Sequence, residues 1–136
     1  MWYSRPRMRQ DLEKFILEGA RKVTPASLGR LIRLLPEIRL VATQVTEFAQ
    51  LPDQVEFLAQ LIEDFYSGLS PEIPYTAIAE AAFALSYLRK GIDIIPDSIS
   101  GVGYADDAAI INVVFETYKQ PFLEHVLARK SREELS

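Results

Sequence analysis

The run Tyr75 to Lys90, YTAIAEAAFALSYLRK, constrains this chain more than any other stretch. Ile78, Ala82, Phe83, Leu85 and Leu88 fall at helical spacing but on more than one face, and a helix apolar around most of its girth has to be surrounded by other elements. Its alanines let neighbouring helices approach closely. Glu80 is expected to mark the little exposure that remains. Arg89-Lys90-Gly91 reads as a helix end, with cations at the negative pole of the dipole and glycine as the stop. The rest of the chain must supply the cover. At 136 residues, 49% of them hydrophobic, it can do so around a single core, since a chain of this size buries roughly two thirds of its unfolded surface.

The covering segments are also helical by pattern. Leu12, Phe15, Ile16 and Gly19 form a first periodic set, with Asp11 and Glu13 in its early turns and Arg21 and Lys22 in its last. Thr24-Pro25 reads as an N-cap followed by proline at the first helical position. That helix carries Leu28, Leu31, Ile32 and Leu35, and Pro36 is expected to end or kink it. The pattern resumes at Ile38, Val41, Val45 and Phe48. Leu51-Pro52-Asp53 opens a strongly amphipathic helix with Val55, Leu58, Leu61, Ile62 and Phe65 inward, Gly68 as its stop, and Glu56, Gln60, Glu63 and Asp64 on a solvated face. Ser67 to Pro74 is a loop by its Gly, Ser and Pro content. A second central helix should run from about Ala105 through Tyr118, and Pro121 should break or restart it before a last amphipathic turn or two at Phe122, Val126 and Leu127. Strands are not supported, because the one alternation, Ile92 to Ile95, meets Pro96 at once. The expectation is an all-α, single-domain bundle over residues 1–136, of five or six helices, with a central antiparallel pair joined by an acidic loop.

That loop concentrates the polar chemistry. Between Tyr87 and Ala108 stand Asp93, Asp97, Asp106 and Asp107, interleaved with isoleucines, Pro96 and three glycines. Tyr87-Leu88, then Ile92-Asp93-Ile94-Ile95-Pro96-Asp97, then Gly103-Tyr104-Ala105-Asp106-Asp107 resemble, in order and spacing, the hallmark of the YkvA-like family of small domains of unknown function. The resemblance covers about residues 81–113. The family usually has a proline before the first Ile-Asp, an aromatic after the second aspartate and a second proline two residues later, where this chain has Gly91, Ser98 and Ser100. Since the family has no assigned activity, the resemblance implies no catalytic role.

Two readings of the aspartates follow from their chemistry. In one they are local acceptors: Asp93 and Asp97 take backbone N–H groups in turns and Asp106 or Asp107 caps the next helix. In the other Asp93, Asp97, Asp106 and Asp107 gather oxygen ligands for Mg²⁺ or Ca²⁺. The spacing is not that of an EF-hand. Capping is the preferred expectation and no cofactor is required by it. Arg89 and Lys90 are placed to pair with Asp93 or Asp97. Tyr104-Ala105-Asp106-Asp107 is also similar to the Tyr-x-Asp-Asp string of reverse-transcriptase palms, but two-metal polymerases need a sheet and a third distant carboxylate.

Other chemistry is sparse. There is no cysteine, so disulfides and thiolate metal sites are excluded. His125 is the sole histidine and is expected to be an exposed helix residue; Ser100-Gly101-Val102-Gly103 lacks the strand and lysine of a phosphate loop. No apolar run approaches the ~18 residues of a membrane span, and MWYSRPRMRQ lacks the apolar core of a secretory signal, which points to a cytoplasmic protein. Residues 1–40 hold nine Lys or Arg against four acids and residues 41–136 six against fifteen, with seven acids and no Lys or Arg between Val41 and Leu88. Such a surface does not suit nucleic acid. The leading functional expectation is a non-catalytic interaction or scaffold module with a protein partner; a homodimer is compatible with the sequence. The alternatives are a divalent-cation-binding, hydrolytic site at the four aspartates and peripheral membrane attachment through the basic Trp2 to Arg9 end.

Overall fold

In a computed structural model of the chain, the structure describes residues 6–94 and 103–135. Six helices make up the described residues: α1 (Pro6–Ala20), α2 (Pro25–Gln44), α3 (Leu51–Tyr66), α4 (Tyr75–Ile94), α5 (Gly103–Thr117) and α6 (Lys119–Leu135). The all-α bundle is therefore as expected. Helix α4 packs against α1, α2, α3 and α5, which makes it the centre. Its Ala77, Ile78, Ala81, Ala84, Leu85 and Leu88 are fully buried. From α5, Ala109, Ile110, Ile111, Val113 and Val114 complete the same core. The two helices run antiparallel: Glu80, early in α4, meets Tyr118, just past the end of α5, whereas Tyr87, later in α4, feels the charges of Asp106 and Asp107 at the start of α5.

Local signals explain most boundaries. Thr24 and Ser27 form a reciprocal capping box, Ser27 N–H donating to Thr24 Oγ1 at 3.1 Å and Thr24 N–H to Ser27 Oγ at 2.8 Å, with Pro25 at the first helical position. Gly68 adopts φ 77° and closes α3 with paired bonds from Gly68 N–H to Phe65 O and Leu69 N–H to Asp64 O, the glycine-terminated arrangement that satisfies the last carbonyls.

Two expected stops do not operate. Pro36 lies inside α2, which runs on to Gln44. The proline is on the solvent side, and Leu28, Leu31, Leu35, Ile38 and Ala42 stay on one buried stripe across it. Burying Ile38 fully contributes roughly 1.5–3 kcal/mol, enough to offset much of the ~3 kcal/mol that an interior proline costs. Gly91 likewise fails to end α4, which continues to Ile94. A glycine stops a helix by turning left-handed, and among the described residues only Gly68 has positive φ. Helix α5 begins at Gly103 rather than near Ala105, while Pro121 falls within the first turn of a fresh helix, α6.

The basic first half and acidic second half close on each other. Arg39 of α2 reaches Glu56 at 2.7 Å and Glu63 at 2.6 Å on α3, and Arg9 of α1 pairs with Glu116 of α5; in the opposite sense, Arg89 Nε of α4 lies 3.6 Å from Glu37 of α2. The acidic side of α3 is thus largely taken up by cations of α2 and α6 rather than left to solvent.

Candidate functional site

The motif end is assembled from the last turns of α4 and the first turns of α5. Asp93 stands on the last turn of α4, and Asp97 lies outside the described residues. Asp106 occupies the first turn of α5, exposed, where the helix dipole favours its charge. Asp107 follows it into the interior. It is 1% exposed, flanked by buried Ala108, Ala109 and Ile110, and neither carboxyl oxygen has a hydrogen-bond partner.

This is not a capping side chain. A cap would lie before Gly103 and its oxygen would accept a backbone N–H of the first turn, whereas Asp107 is a turn too far along. Burial pushes its carboxyl up to about 7, the charge of Asp106 adds to the effect, and only its own backbone amide pulls the other way. Tyr87 shares this environment: burial raises its phenol first, and then the charges of Asp106 and Asp107. A buried oxygen pair with no donor, beside an exposed acid and a phenol, can hold a proton or coordinate a hard cation. Among the described residues no three His, Cys, Asp or Glu side chains are grouped closely enough to form a metal set, so any such site needs oxygens from Asp93, Asp97 or the connection between the helices.

Two further polar groups are buried that the sequence pattern placed outside. Glu80 is 8% exposed rather than solvated, and the Tyr118 hydroxyl donates to its carboxylate. Burial raises the Glu80 carboxyl, against the Tyr118 bond and with the charge of Glu13. Tyr118 is itself pushed up to about 12 by burial and by Glu80. A signal was present: on a helix apolar all round, a lone acid has no wet face to occupy.

His125, expected to be exposed, is 2% exposed. Its Nδ1 lies 3.3 Å from Glu72 Oε1 and its Nε2 3.6 Å from Asp64 Oδ2, with Phe57 edge-on. Arg129, one turn on, shares Asp64 at 3.5 Å and donates to Gln60. The spacing of Phe122 and His125, three residues apart on one helix face, was the available hint, since Phe122 is also buried. Each imidazole nitrogen faces a different carboxylate, so the group ties α6 to α3 and to the loop before α4.

Fold and site together define a small helical bundle in which α4 and α5 pack antiparallel, with Asp106 exposed and Asp107 buried at the start of α5. Residues 77–113, which span α4 and most of α5, match the family model described as "Protein of unknown function (DUF1232)". The chain is 29% identical over 66 residues to "Uncharacterized membrane protein YkvA" of Bacillus subtilis (strain 168), a match over 48% of this chain and 62% of that protein. The chain thus spans about three fifths of the length of the relative it matches. No solved structure gives a significant match. Over the motif stretch the chain is YkvA-like, a family without an assigned function.

Proposed function

We propose that the motif end of the α4–α5 pair is a Mg²⁺ or Ca²⁺ site anchored by Asp107, in a domain that acts as a binding module rather than as a catalyst. The observation that supports this is the buried Asp107 carboxyl, which has no hydrogen-bond partner beyond the pull of its own backbone amide. An ionised carboxylate in that position is unfavourable by several kcal/mol unless compensated. A cation would supply the compensation, with Asp106 beside it and Asp93 and Asp97 close along the chain to complete an oxygen set. A module role follows from the sparse nucleophilic chemistry, with the one histidine committed to Asp64 and Glu72.

The test is thermal melting of the wild type and Asp107→Asn, first in chelator and then with Mg²⁺ or Ca²⁺. In chelator Asp107→Asn should melt at or above the wild type at pH 8, because the amide carries no buried charge. Added cation should raise the wild-type melting temperature in a saturable way, by the equivalent of ~2.7 kcal/mol at a hundredfold excess over Kd, and leave Asp107→Asn unmoved. A wild type indifferent to both cations would sink the reading and leave Asp107 a neutral structural carboxyl.

A second reading, peripheral membrane attachment, is favoured by the name of the Bacillus relative, which calls that protein a membrane protein. No helix among the described residues is long and apolar enough to cross a membrane, so attachment of these helices would be to a surface, with the basic end from Trp2 to Arg9 as its means; residues 1–5 of that end lie outside the described residues.

A further inference from the structure

Between α1 and α4 runs a groove of about 490 Å³ that the cation reading does not use. Its floor is aromatic. Phe15 meets Phe83 edge-on at 5.5 Å and Tyr87 at 5.8 Å, and Phe83 and Tyr87 are 6.0 Å apart. Gly19 makes this floor attainable: a Cβ there would stand 2.2 Å from the Phe83 ring, so the ring lies directly on the α1 backbone. Phe15 is left 46% exposed, an unusual state for a ring already packed against two others.

The rim is polar and unevenly charged. Lys22, beyond the end of α1, and Lys90, on α4, both line the groove, with Glu18 and the Ser86 hydroxyl. Among the described residues neither lysine is engaged in an ion pair. Two cations against one acid give this rim a positive balance on a chain whose net charge is −4. The volume lies within the range of small-molecule sites, toward its smaller end. That is room for one apolar chain. Glu18 on the same rim disfavours a doubly charged head, so a carboxylate fits better than a phosphate monoester.

We propose that this groove binds a free, single-chain carboxylate amphiphile of the fatty-acid class, its tail over Phe15, Phe83 and Tyr87 and its head at Lys22 and Lys90. The binding is reversible, and covering Phe15 supplies the apolar gain. Each added methylene should strengthen binding about fourfold until the floor is covered. The lysines set the sign of the head group that is accepted.

Calorimetric titration of the full chain tests this with octanoate, decanoate and dodecanoate, and with dodecyltrimethylammonium as a probe of equal length and opposite charge, all below their micelle concentrations. Dodecanoate should bind one to one and at least tenfold more tightly than the ammonium probe. Lys22→Gln with Lys90→Gln should erase that preference while leaving the melting temperature near wild type. Ser86→Trp, which fills the groove from its rim, should abolish binding of both probes. Equal affinity for the two head groups in the wild type overturns the proposal, as does no binding of dodecanoate. Binding to phosphatidylglycerol vesicles without binding of free dodecanoate would overturn it in favour of a membrane surface.

Discussion

Glu80 shows how much one residue's surroundings decide. On an exposed helix face it would be an ordinary carboxylate; beneath α5 and α1 it is a buried acid held by one phenol. Its folded carboxyl binds a proton more tightly than the 4.5 of the ordinary group. The stability linked to it is therefore fully present below the ordinary carboxylate range and lost as pH rises through the raised folded value. Glu80→Gln removes that loss while keeping an oxygen to accept from Tyr118. The variant should melt close to the wild type near about pH 4 and above it near about pH 8, by on the order of 1 kcal/mol once the weaker neutral hydrogen bond is allowed for. Melting curves at the two pH values check this. A wild type at least as stable as Glu80→Gln at the higher pH would show that the charged bond to Tyr118 outweighs the desolvation.

At the level of elements, the helices were legible where apolar period and caps agreed. Thr24-Pro25 and Gly68 carried their own backbone geometry in the sequence, and both ends fall where those residues put them. Pro36 and Gly91 misled because their effect depends on context: the one is overridden by a buried stripe on both sides of it, the other remains right-handed. Helix α6 departs from its apolar spacing. Its Val126 and Leu127 are exposed in spite of that spacing, and its buried anchors are Phe122 and His125. An element held by so few side chains should open separately from the core. His125→Ala leaves Asp64 and Glu72 without the imidazole between them and removes the ring from Phe57. We expect a local loss of ~2 kcal/mol, about a thirtyfold drop in amide protection over residues 119–135, with α4 and α5 unchanged. Hydrogen exchange by mass spectrometry reads both regions together. An equal drop across all helices would mean that α6 belongs to the same cooperative unit as the core.

For the whole molecule, the charge split legible in the sequence becomes a self-contact: Arg39 to Glu56 and Glu63, and Arg9 to Glu116, join the basic half to the acidic one. The candidate site was legible only as a cluster. That Asp106 faces out and Asp107 in depends on the start of α5 at Gly103, which no cap residue announces. These pairs engage two of the nine early cations, Arg9 and Arg39, while residues 41–136 are acidic on balance. We expect contact with an anionic bilayer through the residues before α1, where Trp2, Tyr3 and Arg5 combine aromatic and basic groups. Co-sedimentation with anionic and with neutral vesicles, for the full chain and for a chain starting at residue 6, separates the contributions. The full chain should pellet with anionic vesicles at low salt and be released as salt shortens the screening length from ~30 Å toward ~8 Å. The shortened chain should stay in the supernatant throughout, since its remaining charge is repelled by the surface. Equal pelleting of the two forms would remove residues 1–5 from the account, and pelleting with neutral vesicles would move the attachment to exposed apolar residues such as Leu123, Val126 and Leu127 of α6.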